Sequence, residues 1–284
     1  DTVTDSGSGA TGVVSRVVIE SGDFSSSDAA GRLILSSTTG VFVSGNFLRV
    51  GGTDRATARG AATAITLQPN GRVETDTGNL GGLGSPGTKL YGCDGVNRGF
   101  EFDGTVYVPI KTGMLVDAPT KVKVHSLHLF FAFGASLQFS GLGTPFIWSP
   151  LLGAGELALD DVCTNLVIQP GAQTTAALAV YVRNQTYVLY GTSSADWNLT
   201  TYSQDTGALA YSAQNVGRTY ALDDRGVVDL QTSQAYGNFA SATLTENIRP
   251  YLSTRRNRIA ASGKNREKSQ FRLFFSDGYG LYLT

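Results

Sequence analysis

Glu101 and Asp103 have the spacing in this sequence that best suits acid–base chemistry. On a strand, residues i and i+2 share a face, and a facing pair of carboxylates is what glycoside hydrolysis needs. Asp103 also precedes Gly104, and an Asp-Gly step between strand-like runs accounts for it as a turn residue. Asp160-Asp161 and Asp223-Asp224 sit in similar contexts, where a calcium loop and an ordinary turn compete and the turn preference of Asp suffices. His125 and His128 form H-x-x-H within KVKVHSLHLFFAF. Read as one continuous strand, that spacing points the imidazoles to opposite faces, so structural histidines are expected rather than a zinc site. Cys93 and Cys163 specify no disulfide framework and are expected as free, buried thiols of a chain assembled in a reducing cytosol. Trp148 and Trp197 could build a sugar platform, although large aromatics in stacked sheets are more often core. Gly7, Gly9 and Gly12 match G-x-G-x-x-G, but nothing apolar precedes them and the alternating VVSRVVIE follows. A dinucleotide site needs a strand before and a helix after, so residues 1–12 read as a linker. No Ser–His–Asp elbow, P-loop or Cys–His cluster is present. The chain is therefore expected to be no enzyme, with no catalytic, cofactor-binding or metal-binding residues.

One stretch departs from the rest in charge. Arg249 to Arg272 carries eight basic residues against one acid, Glu267, in a chain whose formal net charge is −1. Arg255, Arg256, Arg258, Lys264 and Arg266 are the candidates for contact with DNA or an acidic partner subunit. The competing reading is a solvated loop. No aromatic interleaves Arg255–Lys268, which argues against a stacking platform for single strands. Thr243 to Leu252, just before, suggests a short helix interrupted by Pro250.

The elements that must position these residues are strands. FRLFFSDGYGLYLT, Phe271 to Thr284, reads as a hairpin turning at Asp277-Gly278. A two-residue turn sets Leu273 opposite Tyr282 and Phe274 opposite Leu281, so both faces of the ribbon are expected to be apolar and covered. Similar units turn at Asp103-Gly104, near Gly134, near Arg183-Asn184 and near Asp224. The turns lie 31, 49, 41 and 53 residues apart. A loose repeat of about 40–50 residues with strands in each unit is what propeller blades give.

Bulk composition agrees. Charged residues are 16%, below the usual ~25%, and Gly is 35 of 284, which implies many turns and short strands. Near-zero net charge gives no global pull toward nucleic acid or a membrane surface, and no apolar run approaches the ~20 residues of a bilayer span. From Val13 to Thr75 short strands are expected (VVSRVVIE, RLILSS, VFV, FLRV, ATAITL, RVET), forming a small β-sandwich or barrel. The Gly-rich stretch from Gly78 to Gly87 reads as a hinge. The organisation expected is a small β module over 1–80, a hinge over 81–88 and a propeller-like domain over 89–284. Asp1 in place of Met suggests a segment of a longer polypeptide.

The runs KLYGCDGVNRGFEFDGTVYVPIKTGM, LHLFFAFGASLQFSGLGTPFIWSP, ALAVYVRNQTYVLYGTSSADW, RTYALDDRGVVDLQTSQAYGNF and QFRLFFSDGYGLYLT resemble tailed-bacteriophage virion proteins. The likeness is to the β-propeller tail hub or nozzle proteins that ring the tail below the portal and adaptor, and it covers about residues 89–284. SGDFSSSDAAGRLILSSTTGVFVSGNFLRVGG is similar to small β modules that recur in phage structural proteins. The resemblance implies an all-β, β-propeller-like fold of repeated antiparallel sheets, with a small sandwich or barrel module on the N-terminal side. It also implies a structural virion protein of the tail, assembled in the host cytoplasm, forming part of the DNA ejection channel. The partners implied are copies of itself in a ring, other tail and head–tail connector proteins, and DNA in passage, with no cofactor. The alternative expectation is a tail-tip receptor- or carbohydrate-binding module, and behind it a cell-wall hydrolase.

Overall fold

The computed structural model describes residues 1–81, 87–169, 177–191, 193–232 and 239–284, with the backbone alone for 231–232 and 239–243. Among them the chain is nearly all β, in six antiparallel sheets.

The N-terminal sheet holds β1 (Thr2–Asp5), β2 (Thr11–Ser21), β3 (Ala30–Thr39), β4 (Phe47–Val50) and β5 (Thr53–Thr57), in the order β3-β2-β1-β4-β5. Its own small core is Val3, Ala10 and Phe42. Residues 1–12, expected as a linker, instead form β1 and its turn into β2. The reason is Asp5, buried at 1% exposure, whose carboxylate accepts the N–H groups of Gly7, Ser8 and Val43 and the side-chain amide of Asn46. Two expected strands are absent. VFV places Phe42 in the core without pairing, and ATAITL leaves Ile65 and Leu67 exposed.

Five smaller sheets follow, each a meander whose spatial order is its sequence order. The first blade sheet is β6 (Glu74–Gly78), β7 (Lys89–Cys93), β8 (Phe100–Phe102) and β9 (Tyr107–Pro109). The second is β10 (Lys121–His125), β11 (His128–Phe133), β12 (Ser136–Phe139) and β13 (Gly155–Ala158). The third is β14 (Asn165–Ile168), β15 (Leu178–Tyr181), β16 (Thr186–Tyr190) and β17 (Asn198–Ser203). The fourth is β18 (Gln214–Val216), β19 (Arg218–Leu222), β20 (Val227–Thr232) and β21 (Phe239–Thr243). The fifth has three strands, β22 (Ile259–Asn265), β23 (Gln270–Phe275) and β24 (Gly280–Leu283). The first strands neighbour one another in sequence, β6 with β10, β10 with β14, β14 with β18 and β18 with β22, so the blades fan out from an inner row. This is a β-propeller-like arrangement.

Alternation along single strands builds the stack. In β11, Phe130 and Ala132 enter the core shared with the third sheet, while Leu129 and Phe131 enter the core shared with the first. In β15, Leu178 and Val180 face the second sheet, and Ala179 and Tyr181 face the fourth. Period-two side chains with both faces apolar demand a sheet on each side, and each buried Leu or Phe contributes about 1.5–3 kcal/mol.

The first blade sheet contains β6, which pairs with β7 through Glu74↔Cys93 and Gly78↔Lys89. The stretch expected as a hinge between modules at 81–88 therefore joins two neighbouring strands of one sheet; its residues 82–86 lie outside the described residues. The N-terminal sheet also docks directly, because Val18 and Ile34 join the apolar core that holds Tyr91, Val108 and Phe131. The five expected hairpins each lie in a separate sheet. The uneven first step of 31 has a cause: Asp103 turns between the third and fourth strands of its sheet, whereas the other four turn between the second and third. The equivalent turn of the first sheet is at Gly95, 39 residues before Gly134.

The last hairpin differs in register. Phe275 and Tyr279 close a three-residue loop with Gly278 at φ 87°, so Leu273 pairs with Leu281 and Phe271 with Leu283. A three-residue loop with a left-handed Gly shifts the pairing by one residue from the two-residue case. The ribbon consequently has one apolar face, with Phe271, Leu273 and Phe275 buried, and one open face, with Phe274 at 38% and Tyr282 at 55% exposure. The expected helix is short, α1 (Arg249–Ser253), and Pro250 opens it rather than interrupting it.

Candidate functional site

The residues of the basic segment separate to the two ends of β22. Arg255, Arg256 and Arg258 precede it, beside the turns of the fourth and fifth sheets. Asp277, in the β23–β24 turn, receives Arg255 at 3.0 Å and Arg258 at 3.5 Å. Asp224, in the β19–β20 turn, receives Arg256 at 3.3 Å and Arg183 at 2.8 Å. The Arg255 guanidinium also lies over the rings of Tyr251 and Tyr279, at 4.1 and 4.6 Å from their centroids. Two aspartates from other turns of the same chain are thus shared among these three arginines and Arg183. Lys264 and Arg266 stand at the far end of β22, and Lys264 lines a cavity.

That cavity, of about 380 Å³, is where the inner row of strands meets. All five blade sheets contribute, through residues at or beside β6, β10, β14, β18 and β22. Its polar lining includes Arg72, Glu74, Lys123, Tyr211, Gln214 and Lys264. Glu74 is bound by the buried Lys121 at 2.5 Å, and Asp76 by Lys123 at 3.2 Å. Arg72 donates to the Ala260 carbonyl, joining the first sheet to the fifth. Its guanidinium lies 3.2 Å from the Tyr211 ring centroid, and the Lys121 ammonium lies 3.8 Å from the same centroid. Partial burial, with Arg266 and Lys123 beside it, pulls the Lys264 pKa below the usual lysine value against the opposing pull of Asp76.

The other candidates are absorbed by the fold. Glu101, at 2% side-chain exposure, is held by Arg16 at 2.8 Å and Lys89 at 2.9 Å, with Tyr91 donating at 3.2 Å. Asp103 accepts the N–H groups of Thr105 and Val106, and these bonds hold its carboxyl below the usual range. The two carboxylates are tied to Arg16 and form no open pair. Asp160 accepts from the Tyr187 hydroxyl at 2.8 Å, Asp161 from Val162 N–H, and Asp223 from Arg225 and Gly226 N–H groups. Among the described residues no cluster of three or more His, Cys, Asp or Glu is placed to hold a metal ion. Cys93 and Cys163 are free and buried, and burial pushes the Cys163 thiol up to about 12.

The histidines correct the reading of one continuous strand. The chain reverses at Ser126-Leu127, both at positive φ (47° and 60°), and His125 pairs directly with His128 across the hairpin. The His128 Nδ1 donates to the Ser140 carbonyl at 2.6 Å, which leaves Nε2 as a buried acceptor without a partner among the described residues. Burial lowers the pKa of both, that of His125 to about 4. Trp197 packs on His128, Phe130 and Phe139, and Trp148 stacks on Phe131 at 5.6 Å with its indole N–H bonded to the Pro145 carbonyl. Neither tryptophan forms an open platform.

Reasoning from the sequence missed Arg72, Lys123 and Tyr211. One signal was present: KVKVH sets two lysines among apolar strand residues, where lysine is seldom buried without a partner. Tyr211 carried none, because its role follows from a backbone turn at φ 65°.

No protein-family model matches the chain. No curated protein matches it either. Among solved structures it is similar to BBS1N in the crystal structure of BBS1N in complex with ARL6DN, soaked with lead, at 15% identity and a TM-score of 0.43. The match covers 74% of this chain and 66% of that one.

Proposed function

We propose that the chain is a structural protein of a bacteriophage tail, one subunit of the hub or nozzle ring below the portal and adaptor, bordering the channel through which DNA leaves. The sequence phrases over 89–284 supply the tail assignment. The observation that carries a structural role is a pair of apolar faces, on the first and fifth sheets, that lie outside the cores shared by neighbouring sheets. Every interior sheet has an apolar core on both sides, whereas Arg272, Phe274 and Tyr282 of the fifth sheet belong to none. The same holds for Leu90, Phe100, Phe102 and Tyr107 of the first, which are half-buried. Apolar faces of this kind mark contact surfaces, and a ring of identical subunits uses two different faces of each copy, closing by rotation. Glu101, Asp103, Trp148 and Trp197 are all engaged within the fold, so the carbohydrate-binding reading lacks its platform and the hydrolase reading its open carboxylate pair.

The test joins assembly to location. Sedimentation and negative-stain imaging of the purified chain should show closed rings that the double variant Phe274→Glu, Tyr282→Glu does not form, with unchanged circular dichroism. Antibody to the chain should label the tails of intact virions. A wild-type chain that remains monomeric, or labelling confined to heads, overturns the proposal.

A further inference from the structure

Cations outnumber acids where the five inner strands meet. Arg72, Lys123, Lys264 and Glu74 line the cavity, with Lys121 and Asp76 as the ion-pair partners of Glu74 and Lys123. Lys121 takes Glu74 and Lys123 takes Asp76, and among the described residues Arg72 and Lys264 have no carboxylate within ion-pair distance. The surplus is therefore two positive charges in a partly enclosed space of about 380 Å³, within the roughly 300–1,000 Å³ of small-molecule sites.

A second observation concerns Tyr211. A bulky residue at φ 65° is a backbone outlier, and such outliers persist where the surroundings hold them and cluster at ligand clamps. The turned backbone sets the phenol ring against both Arg72 and Lys121. Arg72 spends one Nη on the Ala260 carbonyl and keeps the rest of its donor fork. Its position is thus fixed without an anion, and a ligand would find the fork already oriented.

We propose that this cavity is a binding site for a small dianion, a phosphate group or a paired dicarboxylate, gripped by Arg72 and Lys264. A dianion matches the surplus charge, and two cations delivered by separate sheets suit a ligand with two anionic oxygens. A bound anion would also relieve the repulsion among Lys264, Arg266 and Lys123. The site is independent of the tail assignment, since it needs one folded copy of the chain.

Calorimetric titration of the full chain with inorganic phosphate, and separately with malonate, tests this at ionic strength matched with sodium chloride. Saturable binding of at least one anion is expected, weakened about tenfold by Lys264→Gln and again by Arg72→Gln, as charged hydrogen-bond partners are worth. Lys268→Gln, on the β22–β23 turn away from the cavity lining, should bind as wild type. Arg72→Lys should bind more tightly than Arg72→Gln, which separates charge from packing on Tyr211. Preference for phosphate or for malonate identifies the ligand chemistry. Saturation by neither, or undiminished affinity in Lys264→Gln, overturns the proposal.

Discussion

Lowering the pH from 7.5 to 5 should destabilise this protein by about 2 kcal/mol through His125 alone. The His125 residue is 4% exposed, and burial lowers its pKa from 6.5 to about 4. The folded chain keeps the imidazole neutral where the unfolded chain protonates it, so the unfolded state binds more protons between those values. Stability is then full above pH 6.5, falls as the pH drops, and stops falling near pH 4. Integrated to pH 5, the difference is about 2 kcal/mol, and the whole window is worth about 3 kcal/mol at ~1.4 kcal/mol per pH unit. His128 shifts in the same direction and steepens the fall. Carboxylates are nearly silent in this range, because ordinary Asp and Glu titrate near 4 and Asp103 is held lower still. The assay is urea unfolding at pH 7.5, 6.5, 5.5 and 5.0, for wild type and His125→Gln. The variant keeps a donor and acceptor near Ser126 but cannot titrate, so its pH slope should be markedly shallower even if its absolute stability is lower. Equal slopes in the two proteins, or stability that rises toward pH 5, would refute the reasoning.

Glu101→Gln leaves Arg16 and Lys89 facing a neutral group in a buried site and should cost about 2–4 kcal/mol in urea unfolding. Asp103→Asn, which keeps an acceptor for its turn, should cost under about 1 kcal/mol; polysaccharide cleavage assays should not distinguish either variant from wild type. Gly278→Ala, at φ 87° in open space, should cost about 1 kcal/mol from backbone strain alone, and Gly278→Asn less, by the same measurement. Reversing Arg255, Arg256 and Arg258 to Glu sets like charges against Asp277 and Asp224 and removes the Arg255 stack. A loss of about 1–3 kcal/mol is expected by denaturation, and ring counts in the electron microscope show whether assembly falls beyond that.

The hairpins were legible because their turns carry Gly or Asp between alternating apolar runs, and those residues have a backbone reason to be there. Where the same chemistry serves two turn types, the sequence left a choice. Asp277-Gly278 suits a two-residue turn as well as a three-residue loop ending in left-handed Gly, and only tertiary packing of Phe271, Leu273 and Phe275 selects the latter. The Ser126-Leu127 turn was hidden for the opposite reason, since neither residue favours positive φ and the surrounding strands impose it. Strand β6 was assigned to the wrong side of the Gly-rich stretch because its partner, β7, lies beyond that stretch.

The charge reading changes most, and the reason is geometric. Counted along the chain, Arg249 to Arg272 is an unbroken basic run, and its arginines invite a polyanion. Folded, β22 carries the two halves of that run to its opposite ends. The half before it meets acids from turns of the fourth and fifth sheets, which a linear count places outside the segment. The far half begins at Lys264, beside a cavity to which Arg72, some 190 residues earlier, adds a second cation without an ion-pair partner among the described residues. Net charge over a window therefore identified a real excess but not how the fold divides it. Arg255, Arg256 and Arg258 share Asp277 and Asp224 with Arg183, whereas Lys264 stands at the cavity beside Arg72, a residue the window never contained.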